Sequence, residues 1–437
     1  MIDNLKSKLV NPIIKYNGND DDMIEYLAEL WSDDNIKKRD EKIKYEKMKT
    51  NINISKFKKT LEKISDNLIF RGNFACYSDN LEKEISLTKK SIIMNYNKTK
   101  ELYLCLHDLI KYDSIRPELF NKIKYATLFV KHKKGIDTEP KNFRYLSNHS
   151  NSFKIIDKYW TNNIIRVLEQ DNSLPDKNIV RNNFDRKFDF SIRDLALEKL
   201  IDYRNGKKIV LIDIQKAFDS ISWDILEKLL VKNLTRKTNK QFAEKMVKQY
   251  MFLNTKRFIN YNNIKIDFNK SIATGLPSST LVFSLIIEQI VYEWYIKENC
   301  KNDVLINTYV DDIFLTFKNL EKADILVKSL IDYLKECKLI VNKNKTKTNI
   351  QNLDYPKITN SDCYLGMPFA DNKMNYIDEC IDMFKKKYYN IEKNDIIKIL
   401  TSDDYPNEKK QILGFFNYKL YGLNTEVNVL NILVNSN

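Results

Sequence analysis

An α+β fold with helical flanks is what the sequence predicts, on three observations. Helical periodicity dominates residues 1–112. Two short runs, KKIVLIDI and VLINTYVDDIFLTF, are almost wholly apolar, as strands buried on both faces are. Strands and helices then alternate without the regular repeat of a doubly wound sheet.

The elements follow in order. DDMIEYLAELW puts Ile24, Leu27, Leu30 and Trp31 on one helical face, behind acidic residues suited to a helix N-terminus. A Lys-rich helical stretch with Tyr45 and Phe57 runs over 37–63, and reads equally as a phosphate-binding or a solvated helix. Near residue 124 the period changes, and KYATLFVKHKKGIDTEPKNFRYLSNH reads as two strands joined by a Gly- and Pro-containing loop. Helices are expected over 152–169 and 192–202, then a central strand at KKIVLIDI, then a helix over 222–232 with Ser222 as N-cap. A basic stretch to about 262 carries no clear period. GLPSS breaks the chain before a long helix over 280–297, which Ser279 would cap, and VLINTYVDDIFLTF reads as strand, tight turn and strand.

Composition bounds the function. Among 437 residues, 43% are hydrophobic, 12% aromatic and 30% charged, which marks a globular chain rather than a disordered one. The 73 Lys and Arg exceed the 59 Asp and Glu by 73 − 59 = +14. That surplus favours an anionic partner, nucleic acid before a membrane surface, although a chain loaded with Lys, Asn and Ile gains lysines from codon bias as well. His107, His132 and His149 are the only histidines, which argues against His-rich metal sites and His-relay nucleases. Cys76, Cys105, Cys300, Cys337, Cys363 and Cys380 never form CxxC, which suits a reducing cytoplasm. MIDNLKSKLVNPII lacks the apolar core of a signal peptide. The most apolar run, LVFSLIIEQIVYEWYI, is interrupted by Glu288 and Glu293, so no membrane span is expected and the reading is a soluble cytoplasmic protein.

Two acidic positions carry the chemistry. Asp213 ends an apolar strand, and Asp311-Asp312 occupy the tip of the predicted hairpin, 311 − 213 = 98 residues later. Carboxylates at strand ends are costly unless a cation meets them. Strands lying side by side would bring Asp213 and Asp311 together. Mg²⁺, or Mn²⁺ in its place, would relieve the repulsion, because such ions take oxygen ligands and share them with substrate phosphates. Two such ions would activate an attacking hydroxyl and stabilise a leaving pyrophosphate. Taken alone, Asp-Asp reads first as an ordinary acidic turn, because Asp is a favoured turn residue.

Context decides between these. IVLIDIQKAFDSI, ATGLPSS and TYVDDIF stand in the order and approximate spacing of the palm motifs of reverse transcriptases. Tyr309-Val310-Asp311-Asp312 resembles that family's Tyr-x-Asp-Asp box, and Asp213 with Phe218-Asp219 resembles its first palm motif. LIVNKNKT resembles the Leu-Asn-x-x-Lys-Thr element, matched by Asn342, Lys345 and Thr346. CYLGMPF resembles the hairpin that grips the primer end, while VKHKKG and NFRYLS look like the Lys and Arg pair of the fingers. The resemblance covers about residues 115–370. It implies a right-hand polymerase: a helical N-terminal extension over 1–112, fingers over 113–205, a palm over 206–369 and a helical thumb over 370–437.

The resemblance also implies roles. Asp213 and Asp311 would hold the metal ions with Asp312 assisting, and a dNTP would be the substrate. Lys131 and Arg144, on facing strands, would clamp its triphosphate as a point charge and a planar fork. One sequence does not fix the register, so Lys133 stands as the alternative to Lys131. Ile214, Phe218, Pro277 and Ser278 would line the nucleotide, with Phe218 under the ribose selecting against a 2′-hydroxyl; Phe218 also reads as a core residue. Lys345 is the candidate general acid for pyrophosphate, or a solvated lysine in a Lys-rich run. Tyr309, Leu365 and Gly366 would support the primer end.

One motif departs from the family. Its Gly-x-Pro-Gln-Gly is replaced by Gly275-Leu276-Pro277-Ser278-Ser279, which puts ordinary templating geometry in question. With 437 − 369 = 68 residues after Phe369, a helical thumb is expected and an RNase H or integrase domain is not. The chain looks most like the bacterial antiphage-defence reverse transcriptases of the abortive-infection and unknown-group set. The expected partners are therefore an RNA template or non-coding RNA, a DNA product, and a second copy or a second defence subunit. The rival readings are an RNA-dependent RNA polymerase and a catalytically idle RNA-binding scaffold.

Overall fold

The computed structural model describes residues 14–32, 96–133, 135–170, 180–182, 192–255, 257–300, 303–370, 372–388, 391–423 and 429. The Lys-rich stretch over 37–63 lies outside them.

The described chain opens with α1 (Asp20–Leu30). Asn19 caps it by accepting from the Asp21 amide, and Asp20, Asp21 and Asp22 fill its first turn, where the helix dipole favours them. The helices α2 (Tyr96–Tyr112) and α3 (Pro117–Ile123) lead into the strands β1 (Tyr125–His132) and β2 (Phe143–His149). After α4 (Asn151–Gln170), β3 (Val180–Asn182) and α5 (Ile192–Arg204) comes β4 (Lys208–Ile212), the apolar strand of the sequence. The one-turn helix α6 (Ala217–Ser220) precedes α7 (Trp223–Lys237), α8 (Lys240–Thr255), β5 (Phe258–Tyr261) and β6 (Ile264–Asp267). Next come α9 (Pro277–Lys297), the hairpin β7 (Val304–Tyr309) and β8 (Asp312–Phe317), α10 (Ala323–Glu336) and β9 (Lys347–Thr348). The short hairpin β10 (Cys363–Tyr364) and β11 (Met367–Pro368) is followed by α11 (Lys373–Lys387), α12 (Lys393–Thr401) and α13 (Pro406–Leu420).

Two sheets organise these elements. One has four strands in the order β2-β1-β5-β6, the other five in the order β3-β7-β8-β4-β9. The second packs on α9, which is buried nearly all round because its sequence is apolar all round. Its one fully enclosed acid, Glu288, is met by Arg236 at 2.9 Å and Lys237 at 2.6 Å, as a buried charge requires. A second core joins α1 and α2 to the four-stranded sheet around Met23, Leu27, Trp31 and Phe143. A third gathers α11–α13 around Phe384, Ile399 and Phe416.

Ser222 occupies the N-cap of α7, where the sequence puts it, though its side chain makes no capping bond. The structure corrects two other local expectations. Ser279 lies inside α9, which starts at Pro277, and its hydroxyl donates to the Ala273 carbonyl. The unassigned basic stretch holds a full helix and a hairpin, α8 and β5–β6. The hairpin's Asn262-Asn263 turn, with φ of 47° and 66°, is a type I′ signal that the charge pattern obscures. Among the described residues, no helix is long and apolar enough to cross a membrane.

Candidate active site

The strand pairing assembles the acidic centre. In the β7–β8 hairpin Tyr309 pairs with Asp312, leaving Val310 and Asp311 as a two-residue turn. Val310 takes a φ of 59°, where a β-branched residue is strained, by roughly 1–3 kcal/mol. On the other side of β8, Ile212 of β4 pairs with Ile313, so the next residue, Asp213, stands beside Asp312 at the sheet's end. Asp213 is fixed through its main chain: its carbonyl accepts from the Asn342 amide at 2.8 Å, and its amide donates to Thr346 Oγ1 at 3.4 Å.

Burial, with the neighbouring carboxylate charges adding to it, raises the proton affinity of Asp311 and Asp312. Burial, and then the charges of Asp311 and Asp213, push the Asp312 carboxyl up to about 7. Burial also raises Asp311, with Asp213 adding to it and Arg144 and Lys345 opposing. Lys345 Nζ lies 3.6 Å from Asp213 Oδ2. Among the described residues no three or more His, Cys, Asp or Glu converge as a ready metal cage. The donor set instead suits an ion that takes one or two carboxylates and completes its shell with water and phosphate, as Mg²⁺ does.

A basic rim faces this centre. Lys131 and Arg144 are direct partners in the antiparallel β1–β2 pair, so both side chains share one face of the hairpin. Lys133 follows the strand, its amide bonded to the Asn142 carbonyl at 2.8 Å. Although Lys133 is exposed at its surface, the chain packed around it lowers its ammonium below the usual lysine range. Arg144, Lys216 and Lys345 lower it further, against the pull of Asp219. Arg144 and Lys345 thus act on the acids, with Lys133 in electrostatic reach of both and of Asp219.

Residues 131–377, more than half of the chain, match the family described as reverse transcriptase (RNA-dependent DNA polymerase). The chain belongs to the reverse transcriptase family. No curated protein matches it. It is an RNA-directed DNA polymerase, a nucleotidyltransferase, and a nucleic-acid-binding protein, and its fold is the polymerase palm fold in an α+β chain.

The remaining expected site residues of this reverse transcriptase lie in different settings. Phe218, half-buried on α6, stacks on Phe283 with ring centroids 4.8 Å apart. Tyr309 is partly buried, and burial followed by the charges of Asp312 and Asp311 raises its hydroxyl. Leu365 and Gly366 form the β10–β11 turn, with φ of 47° and 82°. The Tyr418 hydroxyl donates to the Leu365 carbonyl at 2.7 Å, and Lys419 Nζ donates to the Gly366 carbonyl. Ile214 is 5% exposed, packs in the core and bridges to Val341 through its main chain. Pro277 is the first residue of α9.

Ser278 is a correction. It is fully buried, its hydroxyl donating to Asp157 Oδ1 at 2.6 Å and its amide to Asp157 Oδ2 at 2.8 Å. No surface of it is left to meet a nucleotide.

Sequence reasoning missed four residues around the site. Asp157 follows Phe153 and Ile156 and precedes Trp160 on the buried face of α4, so a lone acid on an apolar stripe was the available signal. Trp31 donates from Nε1 to Asp219 Oδ1 at 3.2 Å, across 188 residues of sequence. Tyr418 and Lys419 reach a turn 53 residues earlier. For these three, no local pattern announces the partner.

Proposed function

We propose that the chain extends a primer's 3′ hydroxyl with dNTPs, with Asp213, Asp311 and Asp312 as its acidic centre. The observation that carries this is the register that sets Asp213 beside Asp312, next to the turn bearing Asp311. Mg²⁺, with Mn²⁺ as its substitute, fits Asp213 and Asp311 with Asp312 assisting, and would neutralise charge at the attacking hydroxyl and the departing pyrophosphate. Arg144 and either Lys131 or Lys133 grip the triphosphate. Phe218, held flat by Phe283, closes the space under the ribose 2′ position. Lys345 supplies a proton to pyrophosphate. Tyr309 and the Leu365-Gly366 turn hold the primer end. Catalysis is then positioning and charge neutralisation. The right-hand division accompanies this reading: an N-terminal extension over 1–112, fingers over 113–205, palm over 206–369 and thumb over 370–437.

The same reading places the protein in antiviral defence, cytoplasmic, acting with a non-coding RNA or an unusual primer, as a homo-oligomer or beside a second subunit. What supports it is the departure at Ser278-Ser279 in the first turn of α9, with Ser278 turned inward onto Asp157, and an N-terminal helix packed against the fingers-like hairpin. Asp213→Ala and Asp311→Ala should each abolish incorporation of labelled dNTPs while nucleic-acid affinity stays within about twofold. Cells carrying the Asp311→Ala protein should lose protection against phage. Synthesis retained by the double variant would overturn the assignment of the acids, and protection retained without synthesis would overturn the link to defence.

A further inference from the structure

The β1–β2 hairpin carries its basic side chains at its loop end. Lys131 pairs with Arg144, His132 pairs with Phe143, and Lys133 opens the loop over 133–142. The other end of the hairpin is fixed. There β1 pairs with β5 over Tyr125–Thr127, and the Ser147 amide donates to the Thr274 carbonyl at 2.8 Å. Beyond that the hairpin is a two-stranded ribbon, which holds its shape poorly unaided. A cation that is in place only part of the time weakens binding by that fraction.

The segment leading into α1 meets the loop end. The Asn17 amide donates to the Asp137 carbonyl at 3.1 Å, and Asn17 Nδ2 donates to Asp137 Oδ2 at 2.6 Å. The Tyr16 ring stands edge-on to Phe143, with centroids 5.4 Å apart. Gly18 approaches so closely that a Cβ there would come within 2.6 Å of the Thr138 carbonyl oxygen, a backbone atom that cannot swing aside. The start of α1 is anchored as well, because Asp20 accepts from the Tyr261 hydroxyl at 3.0 Å and from Asn262 Nδ2 at 2.7 Å.

Eleven residues of helix, about 16 Å, separate this from a second anchorage. The Trp31 carbonyl accepts from the Asn269 amide at 3.3 Å, and its indole donates to Asp219 Oδ1 at 3.2 Å, one residue past Phe218. Asp219 also feels the charges of Lys133, from the hairpin, and of Lys216 and Lys270. The helix thus holds the loop end of the hairpin at one end and a palm carboxylate at the other. Residues 14–32 precede those that match the family, so the tie is this chain's own addition.

We propose that residues 14–32 tie the loop end of the β1–β2 hairpin to the palm and so hold its cations ready for a nucleotide triphosphate, with Asn17 and Trp31 as positioning residues acting through Asp137 and Asp219. Preorganisation of this kind lowers the cost of binding and leaves the chemical step alone. The tie stands on the contacts; its effect on nucleotide rests on the polymerase reading.

Two measurements on the full chain test it. In Asn17→Ala/Gly18→Ala, hydrogen exchange should quicken at the Lys133 and Asn142 amides, which close the loop end, and stay unchanged in β7–β8, with the thermal melt intact. In primer extension the same variant should raise the KM for dNTP about 3- to 10-fold, the worth of one ordinary hydrogen bond. Its kcat and its KM for primer–template should stay within about twofold. Asp137→Asn, which keeps an acceptor for Asn17, should behave as the parent does. Unchanged exchange in the double variant would overturn the tie. Faster exchange with an unmoved KM for dNTP would overturn the positioning role, as would equal rises in both KM values. A parent that incorporates no dNTP would overturn that role through the polymerase reading, and the exchange of the variant would still show the tie.

Discussion

Asp157 shows how one buried residue fixes the start of a helix, the first turn of α9. Its carboxylate holds both the hydroxyl and the amide of Ser278, where the family has a glutamine. Burial pushes it up to about 6, while the two Ser278 bonds and Arg257 pull it back. The folded chain thus holds this proton more tightly than the unfolded one, whose carboxyl titrates near 4. Stability from this group is full below about pH 4, falls as pH rises to about 6 and is level above, a loss on the order of 3 kcal/mol. Asp157→Asn keeps an acceptor for the Ser278 amide and removes the charge. Urea unfolding of parent and variant from pH 4.5 to 8 should show their stability difference widening in the variant's favour up to about pH 6, then holding constant. A difference independent of pH would mean that Asp157 does not titrate in this range.

The hairpin β10–β11 makes the same point for an element. Two strands of two residues hold little by themselves, and their turn spends two positive φ values, one on a leucine. What steadies it is α13: consecutive side chains, Tyr418 and Lys419, bind the consecutive carbonyls of Leu365 and Gly366. A side chain at Gly366 would meet Lys419 Nζ at 2.8 Å and push it off its carbonyl, while the φ of 82° is what favours glycine there. Lys419→Met keeps the stem and loses the bond. It should raise the KM for primer–template by roughly tenfold while the KM for dNTP stays within about twofold, read by steady-state extension. Equal rises in both constants would instead indicate general collapse. The hairpin itself was legible in CYLGMPF, as was the β7–β8 turn in TYVDDIF, because a turn's chemistry is local. Its brace was not, because a lysine on a helix carries no mark of a carbonyl 53 residues away. Helix α8 escaped for a related reason: its buried face, with Met246, Val247, Tyr250 and Leu253, is masked by interleaved lysines and glutamines.

At the scale of the molecule, the palm-like order of motifs and the acidic centre could be read from residue types and spacing, whereas the joining of its cores could not. The +14 surplus pointed to nucleic acid without saying where; the structure sets Arg144 and Lys345 against Asp311, and Lys345 against Asp213. Helix α1 joins two of the units. Met23, Leu27 and Trp31 are at most 2% exposed in the core beneath the four-stranded sheet. From there the Trp31 indole reaches Asp219, just past β4 of the five-stranded sheet. Asp219 in turn draws on Lys133 and Lys216, and Lys216 Nζ lies 4.9 Å from the ring of Tyr26 on α1. The N-terminal helix is therefore wired to the rim of the active site through one hydrogen bond and two cations. If that wiring contributes to folding, the Trp31–Asp219 pair is coupled. Trp31→Phe, which keeps a large ring and deletes the N–H, should cost about 1–3 kcal/mol by stranding a part-buried acceptor. Asp219→Asn should cost less in the Trp31→Phe background than in the parent, with a coupling of roughly 0.5–3 kcal/mol from a double-mutant cycle in urea. Additive losses would make α1 a passenger on the sheet, and a single cooperative transition that shifts with Trp31 would make it part of the polymerase core.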